Sequence, residues 1–131
     1  MKIHHVGIAV NSLQAAVPIF EKLLGHPPES EEAVEDQKVR VASFAAGESR
    51  IELLEATSPD SPIARFIEKR GQGLHHLTLA VPNLEKALAE LESTGVKLID
   101  RKPRKGAANE SIAFLHPSST SGVLIELVEK K

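Results

Sequence analysis

His5-Val6-Gly7-Ile8-Ala9-Val10 and His76-Leu77-Thr78-Leu79-Ala80-Val81 are two versions of one strand, 71 positions apart. A polar turn and an amphipathic stretch ending in glycine follow each: Ser12 to Leu24 closed by Gly25, and Asn83 to Thr94 closed by Gly95. Ser12 and Asn83 suit helix N-caps, and the glycines suit the left-handed position just past a helix. Val41-Ala42 repeats as Ile112-Ala113 at the same offset, and Ile51-Glu52-Leu53-Leu54-Glu55 returns as Ile125-Glu126-Leu127-Val128-Glu129 at an offset of 74. The added residues fall between His116 and Gly122, in a loop, where insertion costs least.

An internal repeat of this kind decides the fold class. Alternation of period two predicts strands at 2–10, 38–45, 49–56, 74–81, 111–116 and 122–129. A further strand in each copy is signalled weakly, near 29–36 and 97–100. The expectation is an α+β chain of two tandem βαβββ modules in a curved mixed sheet. Residues 1–58 form the first module, 59–72 a linker and 73–131 the second, all within a single domain. In the linker, Ser61 caps a short helix that starts at Pro62 and ends at Gly71.

Successive strand side chains face opposite ways. Val6, Ile8 and Val10 share the face that must lie on the helix, so His5, Gly7 and Ala9 look into the hollow of the sheet. The repeat places Leu77, Leu79 and Val81 against His76, Thr78 and Ala80 in the same way. Parity thus turns His5 and His76 inward and His4 and His75 away. Glu52 and Glu126 each lie opposite an apolar pair, Ile51 with Leu53 and Ile125 with Leu127. Two imidazoles and two carboxylates at repeat-equivalent positions suit a six-coordinate divalent cation with two places left for water or substrate. The nitrogens favour Co²⁺, Mn²⁺, Ni²⁺ or Zn²⁺ over Mg²⁺. A lone inward histidine is more often a hydrogen-bonded core residue, but four symmetric ligands are hard to obtain by accident. Buried carboxylates are costly without a partner charge, which a cation supplies.

Composition narrows the alternatives. The chain has 131 residues, a formal net charge of −2 and no cysteine. Any metal must therefore be held by nitrogen and oxygen, and a cytoplasmic setting fits. Like charges do not cluster enough to ask for nucleic acid or an anionic membrane. Apolar runs are far short of the ~20 residues that span a bilayer. There is no Trp or Tyr, which removes the aromatic platforms used to stack bases or sugars. Lys102, Arg104 and Lys105 form a small basic cluster, read first as solvated surface and second as a contact for the phosphates of a nucleotide-bearing substrate. His26 and His116 read as turn residues, and Arg50 as a structural charge. No P-loop, dinucleotide motif or Ser/His/Asp set is present.

These motifs, with Pro59 to Gly71, Gly73-Leu74-His75-His76 and Gly122 to Leu127, resemble the vicinal oxygen chelate (glyoxalase) superfamily. Within it they resemble the methylmalonyl-CoA epimerases, over essentially the whole chain. The resemblance implies His5, Glu52, His76 and Glu126 as ligands, with Co²⁺ as the first ion to consider. It further implies an acyl-CoA substrate, a homodimer, and a 1,1-proton transfer through an enolate with Glu126 as one acid/base. Some relatives carry a non-ligand glutamate where this chain has Val41, so the second acid/base is left open between Glu52, a water and another group. The rival readings are a lactoylglutathione lyase (glyoxalase I), which uses the same fold, and a non-catalytic small-molecule binding protein of the superfamily.

Overall fold

A computed structural model describes residues 1–131. The strands are β1 Lys2–Ala9, β2 Ser30–Val34, β3 Val39–Ala46, β4 Ser49–Ala56, β5 Gly73–Val81, β6 Arg104–Lys105, β7 Ser111–Leu115 and β8 Ile125–Glu129. The helices are α1 Leu13–Leu24, α2 Pro62–Arg70 and α3 Leu84–Ser93. The strands pair in the order β2-β3-β4-β1 in the first half and β5-β8-β7-β6 in the second, with parallel and antiparallel neighbours in each. Contacts divide the chain into two compact units, His5–His75 and Met1–His4 with His76–Lys131. No helix is long and apolar enough to cross a membrane.

In the unit His5–His75, β1 runs parallel to β4, with β3 antiparallel on the far side of β4. One sheet face packs on α1 through Val10, Leu13, Ala42, Phe44 and Leu53, with Ile8, Val17 and Phe20 around them. Phe44 and Leu53 are fully buried, each removing apolar area from water for about 1.5–3 kcal/mol. The opposite face departs from the hollow expected. Its far part is covered: Ala9, Val39, Val41 and Leu54 pack against Ile63, Phe66 and Ile67 of α2. The physical reason is that the linker helix is amphipathic and needs an apolar surface, which these strand positions offer.

The other unit repeats the scheme. There β5 is parallel to β8 and β7 antiparallel to it. Val81, Leu84, Leu88, Ala113, Leu115 and Leu127 build the core beneath α3. Two strand expectations shift here. Residues 97–100 carry only an isolated bridge, Leu98 to Leu115. Asp100 Oδ2 accepts the Phe114 N–H at 2.8 Å, taking a donor that a regular ladder would use. Pro103 follows without an N–H, so the short ladder forms only at Arg104 and Lys105 with Ile112 and Ser111. The last strand begins at Ile125, three residues later than the alternation suggests. A turn holds the chain before it: Gly122 N–H donates to Pro117 O, Val123 N–H to Thr120 O, and Gly122 has φ +86°.

Helix starts follow the sequence. Ser12 Oγ accepts the Ala15 N–H, Asn83 Oδ1 the Lys86 N–H and Ser61 Oγ the Ile63 N–H. A second device is repeated in both units. Glu55, the last acid of Ile51–Glu55, accepts the Leu13 N–H at 2.6 Å. Its counterpart Glu129 accepts the Leu84 N–H at 3.0 Å. Each carboxylate thus closes β4 or β8 onto the positive end of a helix. Replacing Glu129 by Ala is expected to destabilise the fold by about 1–2 kcal/mol, read as a lower urea midpoint with an unchanged slope. No shift of the midpoint would remove this role.

The linker is tied down ionically. Asp60 pairs with Lys38, and Ser58 Oγ donates to Asp60 Oδ1 at 2.5 Å. The hydrogen bond from Lys38, then that from Ser58, lowers the Asp60 pKa from 3.8 to about 2. A depressed folded pKa means that the contribution of this latch is complete above the unfolded value and is lost as pH falls through the folded one. The Asp60 carboxyl resonance is therefore expected to titrate with a midpoint near 2, and K38M should move it back toward 3.8. An unmoved midpoint in that variant would show that Lys38 is not the cause.

Candidate metal centre

Each half places one histidine on one glutamate. In the unit His5–His75, His5 on β1 and Glu52 on β4 are buried, with His5 Nε2 3.3 Å from Glu52 Oε1. Glu52 stands opposite Gly7 and Ser43 in the sheet. In the other unit His76 Nε2 lies 3.3 Å from Glu126 Oε1, and both side chains are more than nine-tenths buried. Glu126 stands opposite Thr78 and Phe114. The Thr78 hydroxyl donates to Glu126 Oε1 at 2.5 Å, and the His76 ring meets Phe114 edge-on at 6.2 Å. The Thr78 hydroxyl and the His76 ring thus orient the Glu126 carboxylate.

His75 is turned to the other side of β5, where its ring meets Phe66 at 5.0 Å, edge to face. The remaining histidines hold turns. His26 Nε2 lies 2.9 Å from Ala45 O, and His116 Nδ1 accepts the Ser118 N–H at 3.1 Å. Lys102, Arg104 and Lys105 of the basic cluster are all exposed. Arg104 pairs with Asp100 at 3.3 Å and its guanidinium stands 5.2 Å above the Phe114 ring.

One residue of this face escapes a reading of sequence alone. Arg50 is the parallel partner of His5 and lies two positions before Glu52, so it shares their face. Its Nε donates to Ser43 Oγ at 2.7 Å, and Nη1 is 2.7 Å from Glu29 Oε1. The signal was the same parity that selected Glu52.

The donors fit a divalent cation. Imidazole nitrogen and carboxylate oxygen, without sulfur, match the borderline first-row metals. Two buried carboxylates gain from a positive partner, which a cation supplies. Each unit offers one imidazole and one carboxylate of this kind, His5 with Glu52 and His76 with Glu126.

Comparison with known proteins identifies the family. The profile of the Glyoxalase/Bleomycin resistance protein/Dioxygenase superfamily matches residues 4–114. The uncharacterized protein YqjC of Bacillus subtilis is 46% identical over 99% of this chain and 93% of its own length. The crystal structure of methylmalonyl-CoA epimerase from Mycobacterium tuberculosis superimposes with a TM-score of 0.93 at 39% identity, covering 99% of this chain and 88% of that one. A variant of the Streptomyces coelicolor methylmalonyl-CoA epimerase, in complex with 2-nitronate-propionyl-CoA, gives a TM-score of 0.94 at 33% identity, covering 99% of this chain and 94% of that one. The chain therefore belongs to the Glyoxalase/Bleomycin resistance protein/Dioxygenase superfamily, as a relative of its methylmalonyl-CoA epimerases.

Proposed function

We propose that this chain is a divalent-metal-dependent methylmalonyl-CoA epimerase, which inverts C2 of its substrate by removing and returning a proton. The observation that carries this reading is the end-to-end similarity to proteins of that name, with a TM-score of 0.93 over 99% of the chain. The ligands in this reading are His5, Glu52, His76 and Glu126. In its support, each unit sets an imidazole 3.3 Å from a buried carboxylate, His5 on Glu52 and His76 on Glu126. Co²⁺ is the first ion to test, before Mn²⁺, Ni²⁺, Zn²⁺ and Mg²⁺. When bound, the ion supplies positive charge for the thioester oxygen on which negative charge develops.

The residues do the rest. Glu126 takes the C2 proton on one face. The Thr78 hydroxyl and the His76 ring contact its Oε1 and orient the carboxylate. Inversion needs a second acid/base on the opposite face of the planar enolate. Glu52 is the buried carboxylate that the other half offers for that step. The same reading makes the enzyme a cytoplasmic homodimer with an acyl-CoA as its small-molecule partner.

The test is incubation with (2S)-methylmalonyl-CoA in D₂O, with and without Co²⁺, following deuterium at C2. Metal-dependent exchange with racemisation is expected. Absence of exchange with every ion would overturn the proposal. Turnover of the hemithioacetal of methylglyoxal and glutathione instead would assign the chain to the lactoylglutathione lyases.

A further inference from the structure

We propose that Arg50 is a specificity residue that selects acyl thioesters bearing a free carboxylate over neutral ones; this rests on the acyl-CoA reading above. The argument begins with its place. Arg50 faces the same way as His5, its partner across the β1–β4 ladder, and as Glu52. Parallel partners on adjacent strands lie about 5 Å apart, so a molecule reaching the His5–Glu52 pair comes within reach of a guanidinium on a long side chain. Near that pair, the other side chains of this unit on the same face are apolar or small: Gly7, Ala9, Val41, Leu54 and the hydroxyl of Ser43. Arg50 is thus the cation this strand face presents beside the pair.

The guanidinium is also held ready. Ser43, buried and fixed on β3, takes the Nε hydrogen. The Glu29 N–H donates to Ser43 O, which ties the residue carrying the second partner to the same strand. Glu29 contacts Nη1 with a side chain 53% exposed, whereas Arg50 is 30% exposed. An ion pair so open to water is weak and exchangeable. Glu29 therefore acts as a stand-in carboxylate, occupying a place that a substrate carboxylate takes with better desolvation. A guanidinium suits this task through its fork of parallel donors.

The repeat supports a directional role. Offsets of 71 and 74 map Ser43 and Arg50 onto Phe114 and Leu124 of the other half. The two halves therefore match at the histidines and glutamates and differ at these neighbours. A symmetric ligand would gain nothing from such a difference. An acyl thioester, acidic at one end and extended at the other, would.

The test is binding of malonyl-CoA and propionyl-CoA in EDTA, so that no cation contributes, with R50M, R50K and E29A beside the wild type. The wild type is expected to prefer malonyl-CoA. R50M should lose about tenfold to a hundredfold in malonyl-CoA affinity, as for a charge-assisted hydrogen bond, with propionyl-CoA affinity unchanged. R50K should lie between the two. E29A should leave malonyl-CoA binding as it is or tighten it. Equal losses for both thioesters in R50M would mark a structural role and overturn the proposal, as would weaker malonyl-CoA binding in E29A. A wild type that binds both thioesters equally, yet shows metal-dependent exchange, would overturn this inference alone. Failure to bind either thioester would overturn it together with the acyl-CoA reading.

Discussion

Glu126→Gln is expected to lower metal-dependent deuterium exchange at C2 of methylmalonyl-CoA by about 10²–10⁴-fold, the usual contribution of a positioned acid/base group. The substitution is nearly isosteric. A glutamine oxygen still accepts from the Thr78 hydroxyl, which lies 2.5 Å from Glu126 Oε1, and an amide oxygen still serves as a metal ligand. What it loses is the capacity to take a proton. The expected pattern is a collapse of kcat with metal content near that of the wild type, measured by titration and exchange on the same preparation. Exchange at more than a tenth of the wild-type rate would remove Glu126 from the proton transfer. A variant that no longer binds metal would confine its role to ligation.

The second large effect concerns the histidines. His5→Ala and His76→Ala are each expected to weaken Co²⁺ binding by more than about a hundredfold, since even the groups that orient ligands contribute about 10–100-fold. His4→Ala and His75→Ala should change it far less, because adjacent strand residues face opposite sides. For His75 that other side is the Phe66 ring, so its replacement should lower stability slightly and leave metal binding alone. Calorimetric titration of all four variants decides the matter. Equal losses within either doublet would contradict the strand parity from which the site is built.

How much of this was legible beforehand varies by residue. His5, Glu52, His76 and Glu126 were selected by alternation alone, and each half places its pair within 3.3 Å. Arg50 obeys the same rule, yet a lone arginine on a strand is ordinarily a solvated charge. Only the partners Ser43 and Glu29 give it meaning. Ser43 lies seven residues away and Glu29 farther, across a strand pairing that no local pattern announces.

Sequence by itself determined the repeat, the helix caps, the face of each major strand and the pairing of one histidine with one glutamate in each half. These follow from local rules: side chains alternate along a strand, and a capping oxygen must stand within a few residues of the N–H it accepts. Tertiary structure alone decided where the short edge strand forms, how far α2 covers the sheet and where the last strand begins. Asp100 diverts the Phe114 N–H, α2 seeks the apolar patch at Ala9, Val41 and Leu54, and the turn before Ile125 closes on Pro117. Each of these choices is a competition between distant groups for one donor or one apolar surface. Such a competition is settled only once the chain is packed.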